Sequence, residues 1–111
     1  MNCLFCSIVE GKIPASKVYE NDSVIAFDDI NPQAPTHVLV IPKTHYENAA
    51  ELAANDAQTL GELFAVAHKV AGERSLSGYR TVFNTGADAG QTVFHAHLHL
   101  LGGRSLTWPP G

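Results

Sequence analysis

The sequence predicts a single α+β domain built on a five-stranded antiparallel sheet with one long and one short helix. Three observations carry this: five short β-rich runs bounded by turn-forming residues, one long stretch with helical apolar periodicity, and a length of 111 residues, near the commonest domain size. The composition, 45% hydrophobic and 16% charged, supplies enough apolar surface for a core and too little charge for a disordered chain. Residues 1–111 are therefore read as one domain, with the Pro/Gly-rich 102–111 as an extended tail.

A short helix is expected near Leu4–Val9. Val18–Glu20 and Val24–Phe27 flank Asn21-Asp22-Ser23, two β-branched and aromatic runs around turn formers, which reads as a hairpin. His37–Ile41 follows Asn31-Pro32 and Pro35 and meets Pro42, the pattern of a short buried strand. From Asn55 to Ala71, apolar Leu60, Leu63, Phe64, Ala67, Val70 and Ala71 recur with amphipathic-helix spacing, and Asn55 with Gln58 fits a capping box. Tyr79–Asn84 and Val93–Leu101, joined by a loop carrying Gly86 and Gly90, are expected to pair antiparallel. The pattern leaves the strand order open.

Seven Lys+Arg against eleven Asp+Glu give a formal charge of −4, which removes any global attraction to nucleic acid or anionic membrane, so neither is an expected partner. Apolar runs such as Val38–Ile41 fall far short of the roughly 20 residues of a spanning helix, and the start lacks a secretory pattern, so a cytoplasmic location is expected. Cys3 and Cys6 form a C-x-x-C, open to metal binding or redox chemistry.

Three of the six histidines fall within five residues, in His95-Ala96-His97-Leu98-His99-Leu100-Leu101. On a strand, this alternation sends the three imidazoles to one face and Ala96, Leu98 and Leu100 to the other. At about 3.3 Å per residue, His95 and His99 lie roughly 13 Å apart, too far to share one ion at Zn–N distances of about 2.0–2.1 Å. The row therefore suggests a division of labour. Attack on phosphorus suits it: a neutral imidazole is nucleophilic near pH 7, and a second can stabilise phosphate oxygens or protonate a leaving group. Surface histidines are the plainer alternative, against which the strict alternation argues. His68, at the edge of the helical stripe, is assigned no function.

His95-x-His97-x-His99 with its two following apolar residues resembles the signature of the histidine triad (HIT) superfamily. Phe27–His37, with Asp28-Asp29-Ile30-Asn31-Pro32 inside it, and Gly90-Gln91-Thr92-Val93-Phe94 resemble the flanking segments of that family; Leu101-Gly102-Gly103-Arg104 and Trp108-Pro109-Pro110-Gly111 are similar to its Hint branch. The resemblance implies a homodimer whose two sheets join, and a hydrolase that cleaves the α-phosphate bond of purine nucleoside phosphoramidates (AMP joined to an amine) through a nucleotidyl-histidine. It implies His97 as nucleophile, His99 on the phosphate oxygens, His37 as their support and Thr92, where Hint proteins usually carry Ser, as the hydroxyl assisting departure. It further implies Gln91 and Asn84 near phosphate and sugar, Asp29 on the ribose, and Leu4, Phe5, Ile8, Phe27 and Ile30 around the base. Cys3, Cys6, His45 and His95 would form a closed structural zinc site, unneeded for catalysis. Trp108 would approach the partner's active site. Dinucleoside polyphosphate hydrolysis, a nucleotide-binding regulatory role with little turnover, and zinc-dependent hydrolysis are the competing readings.

Overall fold

A computed structural model describes residues 3–111, and its described residues form five strands and three α-helices. The first hairpin, β1 (Lys17–Glu20) and β2 (Val24–Asp28), turns where Asn21 Oδ1 accepts from the Ser23 and Val24 amides, both at 2.9 Å, so the turn is built by an Asx side chain. β3 (Thr36–Pro42) is buried along its whole length. With β4 (Tyr79–Val82) and β5 (Leu98–Gly102) the sheet runs β1-β2-β3-β5-β4, and every neighbouring pair is antiparallel.

The alternation of β2 and β3 separates two cores. Val24, Ala26, Val38 and Val40 face α3 (Ala57–Glu73), which buries Leu63, Val66, Ala67, Val70 and Ala71 against them. Ile25, Phe27, Leu39 and Ile41 point the opposite way, where Phe5 and Ile8 of α1 (Leu4–Val9) cover them. In the β3–β5 register Leu39 opposes His99 and His37 opposes Leu101. Cross-strand partners share a face, so His37 and His99 join Leu39 on the α1 side.

Four expectations are corrected. The long helix begins at Ala57, capped by Asp56, whose side chain accepts from Thr59 N. Asn55 instead closes a separate helix, α2 (Ala49–Asn55), which periodicity missed; Asn48 caps it by accepting from Glu51 N at 2.9 Å. Asp56, extended at φ −155°, breaks the two apart. Phe64, expected in the buried stripe, is 44% exposed and meets Phe83 edge-on at 6.0 Å, while Val66 is buried in the stripe. The last strand starts at Leu98, because the Ala96 amide donates to Tyr46 O at 2.7 Å and leaves the ladder. β4 likewise stops at Val82 rather than Asn84. Of the histidine row, only His99 is on a strand.

Leu63 is fully buried between α3 and the sheet. Leu63→Ala is expected to cost about 2–5 kcal/mol, read as a lower urea midpoint at unchanged m; a loss below about 1 kcal/mol would show that this core collapses around the gap.

Candidate active site and metal centre

On the α1 side of the sheet lies a cleft of about 280 Å³. Leu4, Phe5 and Ile8 form one wall, Phe27 and Leu39 the sheet wall, and Ile13-Pro14-Ala15 closes one end. Asp29 and Ile30 stand at the rim, with Thr92, His97 and His99 at the polar end. Phe5 links the two ends: its ring meets Phe27 edge-on at 5.5 Å and His97 at 5.1 Å. Leu4 is half exposed and Ile30 fully so, which makes them rim rather than floor. The Ile13–Ala15 segment carried no signal in the sequence, since it is a loop whose role depends on where α1 ends.

The structure does not bring all the expected residues to this cleft. Gln91 is buried, but its Nε2 donates to Glu47 O at 2.8 Å and Val93 O at 3.1 Å while its Oε1 accepts from Gly86 N at 2.8 Å. That amide is spent tying loops together. Asn84 follows the end of β4, partly buried, outside the lining; its Nδ2 stands 4.0 Å from where a Cβ on Gly90 would lie. Trp108 is 80% exposed in the tail, and His68 bonds the Tyr79 hydroxyl at 3.2 Å.

Hydrogen bonds fix where the imidazole protons sit. The Gln33 backbone N–H donates to His37 Nδ1 at 3.0 Å, so that nitrogen carries a lone pair and neutral His37 is protonated at Nε2. This Nε2–H lies 2.9 Å from His99 Nδ1 and 3.4 Å from Asp29 Oδ2, and so donates chiefly to His99. His99 must then hold its own proton on Nε2, the one buried side-chain polar atom among the described residues without a partner. It is a donor awaiting an acceptor. His97 donates from Nδ1 to His95 O at 2.8 Å, which leaves its Nε2 lone pair free.

Burial lowers the pKa of all three. It pushes His99 down to about 4, helped by neighbouring His97 and His37 and opposed by Asp29. His37 falls because burial outweighs Asp29. His97 falls for the same reason, against its bond to the His95 carbonyl and the Asp29 charge. At neutral pH the free site thus holds neutral imidazoles, one offering a lone pair and one an N–H.

Cys3, Cys6, His45 and His95 form a second cluster. Cys3 caps α1, its Sγ accepting from Cys6 N at 3.3 Å, and this knuckle points both sulfurs inward. His95 donates from Nε2 to Pro42 O at 2.8 Å, which turns the Nδ1 lone pair toward the cysteines. Zn–N bonds of about 2.0–2.1 Å and Zn–S bonds of about 2.3 Å imply tetrahedral edges of about 3.3 Å for N···N and about 3.6 Å for S···N. His45 Nδ1 and His95 Nδ1 are 3.2 Å apart, and the sulfur–nitrogen separations are 3.4, 3.5 and 3.6 Å. The donor set fits zinc. Burial, then Cys3, pushes the Cys6 thiol up to about 11, a shift that a bound cation reverses. Asp29, His37 and His99 also lie close together, but the bonds just described already order them.

The family model described as "Scavenger mRNA decapping enzyme C-term binding" matches residues 2–107. An uncharacterised HIT-like protein of Synechococcus elongatus is 51% identical over 109 residues, 97% of this chain and 96% of its own. The 14 kDa zinc-binding protein of Zea mays is 47% identical over 111 residues, 97% of this chain and 87% of its own. Among solved structures, a HIT family hydrolase from Legionella pneumophila superposes with a TM-score of 0.95 at 51% identity, covering 99% of this chain and all of that one. A histidine triad protein from Clostridium difficile gives a TM-score of 0.91 at 42% identity, covering 96% and 95% of the two chains.

Two outcomes follow from the geometry. The purified protein is expected to carry one zinc per chain by metal analysis and Cys6→Ala to lose it; a variant that keeps stoichiometric zinc would exclude this donor set. His99 has an ordinary value of 6.5 and about 4 in the fold, so the unfolded chain binds this proton more readily. The stability it contributes is complete above pH 6.5 and lost as pH falls toward 4. Urea titrations across that window should give a shallower pH slope for His99→Gln than for wild type; parallel slopes would contradict the assignment.

Proposed function

As the chain belongs to the histidine triad family, we propose that it hydrolyses the α-phosphate bond of purine nucleoside phosphoramidates, releasing AMP and an amine. One observation carries the reading: an Nε2 lone pair on His97 and an unpartnered Nε2–H on His99 belong to adjacent rings, 4.9 Å apart, at the polar end of an apolar cleft. The hydrolase fold of the relatives is consistent with it.

In this reading the base enters between Phe5, Ile8 and Phe27, with Leu4 and Ile30 at the rim, and the Asp29 carboxylate accepts from the ribose hydroxyls. His97 Nε2 attacks the α-phosphorus, the P–N bond breaks, and the amine leaves with a proton that solvent supplies through the Thr92 hydroxyl, one proton returning to solvent when water later cleaves the intermediate. His99 donates its Nε2–H to a phosphate oxygen as charge develops there. Water then cleaves the phosphorus–His97 bond, returning the lone pair and releasing AMP. The carbonyl of His95 holds the positive charge on His97 through the Nδ1–H during the intermediate.

Zinc, held by Cys3, Cys6, His45 and His95, serves structure in this proposal: four protein ligands leave no position for activated water, and the metal ties α1 to the sheet. Homodimer formation through the sheets belongs to the same proposal, with the exposed Trp108 available to a second copy.

Hydrolysis of an adenosine 5′-phosphoramidate is expected in wild type and to fall on the order of 10³-fold or more in His97→Ala, while a chelator that leaves the fold intact leaves the rate. Turnover surviving in His97→Ala overturns the nucleophile. Faster release of AMP from dinucleoside polyphosphates than from the phosphoramidate moves the substrate class, and turnover that vanishes with the metal alone favours a metallohydrolase.

A further inference from the structure

We infer that Arg104 is a positioning residue for the histidine pair, holding by its carbonyl the main chain of Gln33, the residue whose N–H sets the tautomer of His37 and, through it, of His99. Resting on the reading above, this concerns which way the pair is protonated, and can be measured without turnover.

The pair alone does not choose. Two neutral imidazoles sharing one hydrogen bond have two arrangements of equal bond count: His37 Nε2–H to His99 Nδ1, or His99 Nδ1–H to His37 Nε2. Only the first leaves His99 with an N–H facing the cleft; the second presents a lone pair to the phosphate oxygens. The tie is broken outside the pair, by the Gln33 N–H that donates to His37 Nδ1 at 3.0 Å and makes that nitrogen an acceptor, with the Asp29 carboxylate 3.4 Å from His37 Nε2 favouring the same proton position.

Gln33 lies on an exposed stretch, residues 30–33, before β3. Its neighbouring bonds, Asn31 N to Asp29 Oδ1 at 2.8 Å and Gln33 Nε2 to Asn31 O at 3.0 Å, are internal to the loop. The grip from outside comes from Arg104, whose Nε and Nη2 both donate to Gln33 O, at 3.3 and 3.0 Å, while Nη1 donates to Ser105 O at 2.9 Å. Arg104 makes no ion pair among the described residues, so its guanidinium works here as a rigid donor fork. Gly103 permits the approach: its φ is +90°, and a Cβ there would sit 2.9 Å from Pro35 Cβ. The fork pins the Gln33 carbonyl, which limits rotation of that residue's backbone, and the N–H on the other side of the same Cα orders two histidine protons in sequence.

The test uses Arg104→Ala and Arg104→Lys, with 15N imidazole spectra of the free protein at pH 7.5 and steady-state kinetics on an adenosine 5′-phosphoramidate. In wild type His37 and His99 should both show protonated Nε2 and unprotonated Nδ1. Arg104→Ala should give mixed tautomer signals at both residues and a kcat lowered about 10- to 100-fold with KM within about twofold. Arg104→Lys, which keeps a donor without the fork, should fall between. Wild-type tautomer signals in both variants overturn the proposal, whatever happens to the rate, and so does an unchanged kcat in Arg104→Ala. If wild type has no phosphoramidase activity, the Proposed function falls and the spectra alone still decide this one.

Discussion

The hydrogen bond between His37 and His99 has a direction, and the site depends on it. Register alone brings the rings together: β3 and β5 pair so that Leu39 opposes His99, and the pleat puts His37 two residues away on the same face. Proximity is symmetric, however, and the attack at phosphorus proposed above is not. Asymmetry arrives through the backbone amide of Gln33, which converts two equivalent rings into an ordered donor chain ending at an unsatisfied N–H. No protein group accepts from that N–H, which leaves it available to an anionic oxygen entering the cleft.

The Cys3, Cys6, His45 and His95 cluster and the cleft share one short element. Cys3 and Cys6 bracket Phe5, so the turn that aims two sulfurs at His45 and His95 also aims an aromatic ring at His97 and Phe27. His95 completes the link by giving its Nδ1 to the cluster and its carbonyl to His97 Nδ1. Consecutive histidines thus do unlike work because the chain between them leaves the ladder. A continuous strand would have aimed all three the same way.

Much of this was legible in residue pattern. The alternation at 95–101 grouped His95, His97 and His99, the C-x-x-C left metal or redox chemistry open until the family resemblance added His45 and His95, and turn residues placed the first hairpin. What periodicity cannot carry is tertiary competition for backbone groups. Tyr46 O captures the Ala96 amide and delays β5; Asp56 interrupts what reads as one helix; Gln91, a fair phosphate ligand by position, spends its amide on Glu47, Val93 and Gly86. The role of Gln33 was invisible for a plainer reason, since its working atoms are those of the backbone, which every residue shares.

At six residues, α1 is shorter than a helix that persists in water on its own, since nucleation outweighs so few internal bonds. Its helicity is borrowed from Phe5 and Ile8 packing and from whatever the cysteines hold. A wall built this way is expected to open at a lower free energy than the sheet beneath it. Amide exchange in residues 4–9 would report that local opening, and the affinity for any apolar group entering the cleft is scaled by the fraction of molecules in which the wall stands.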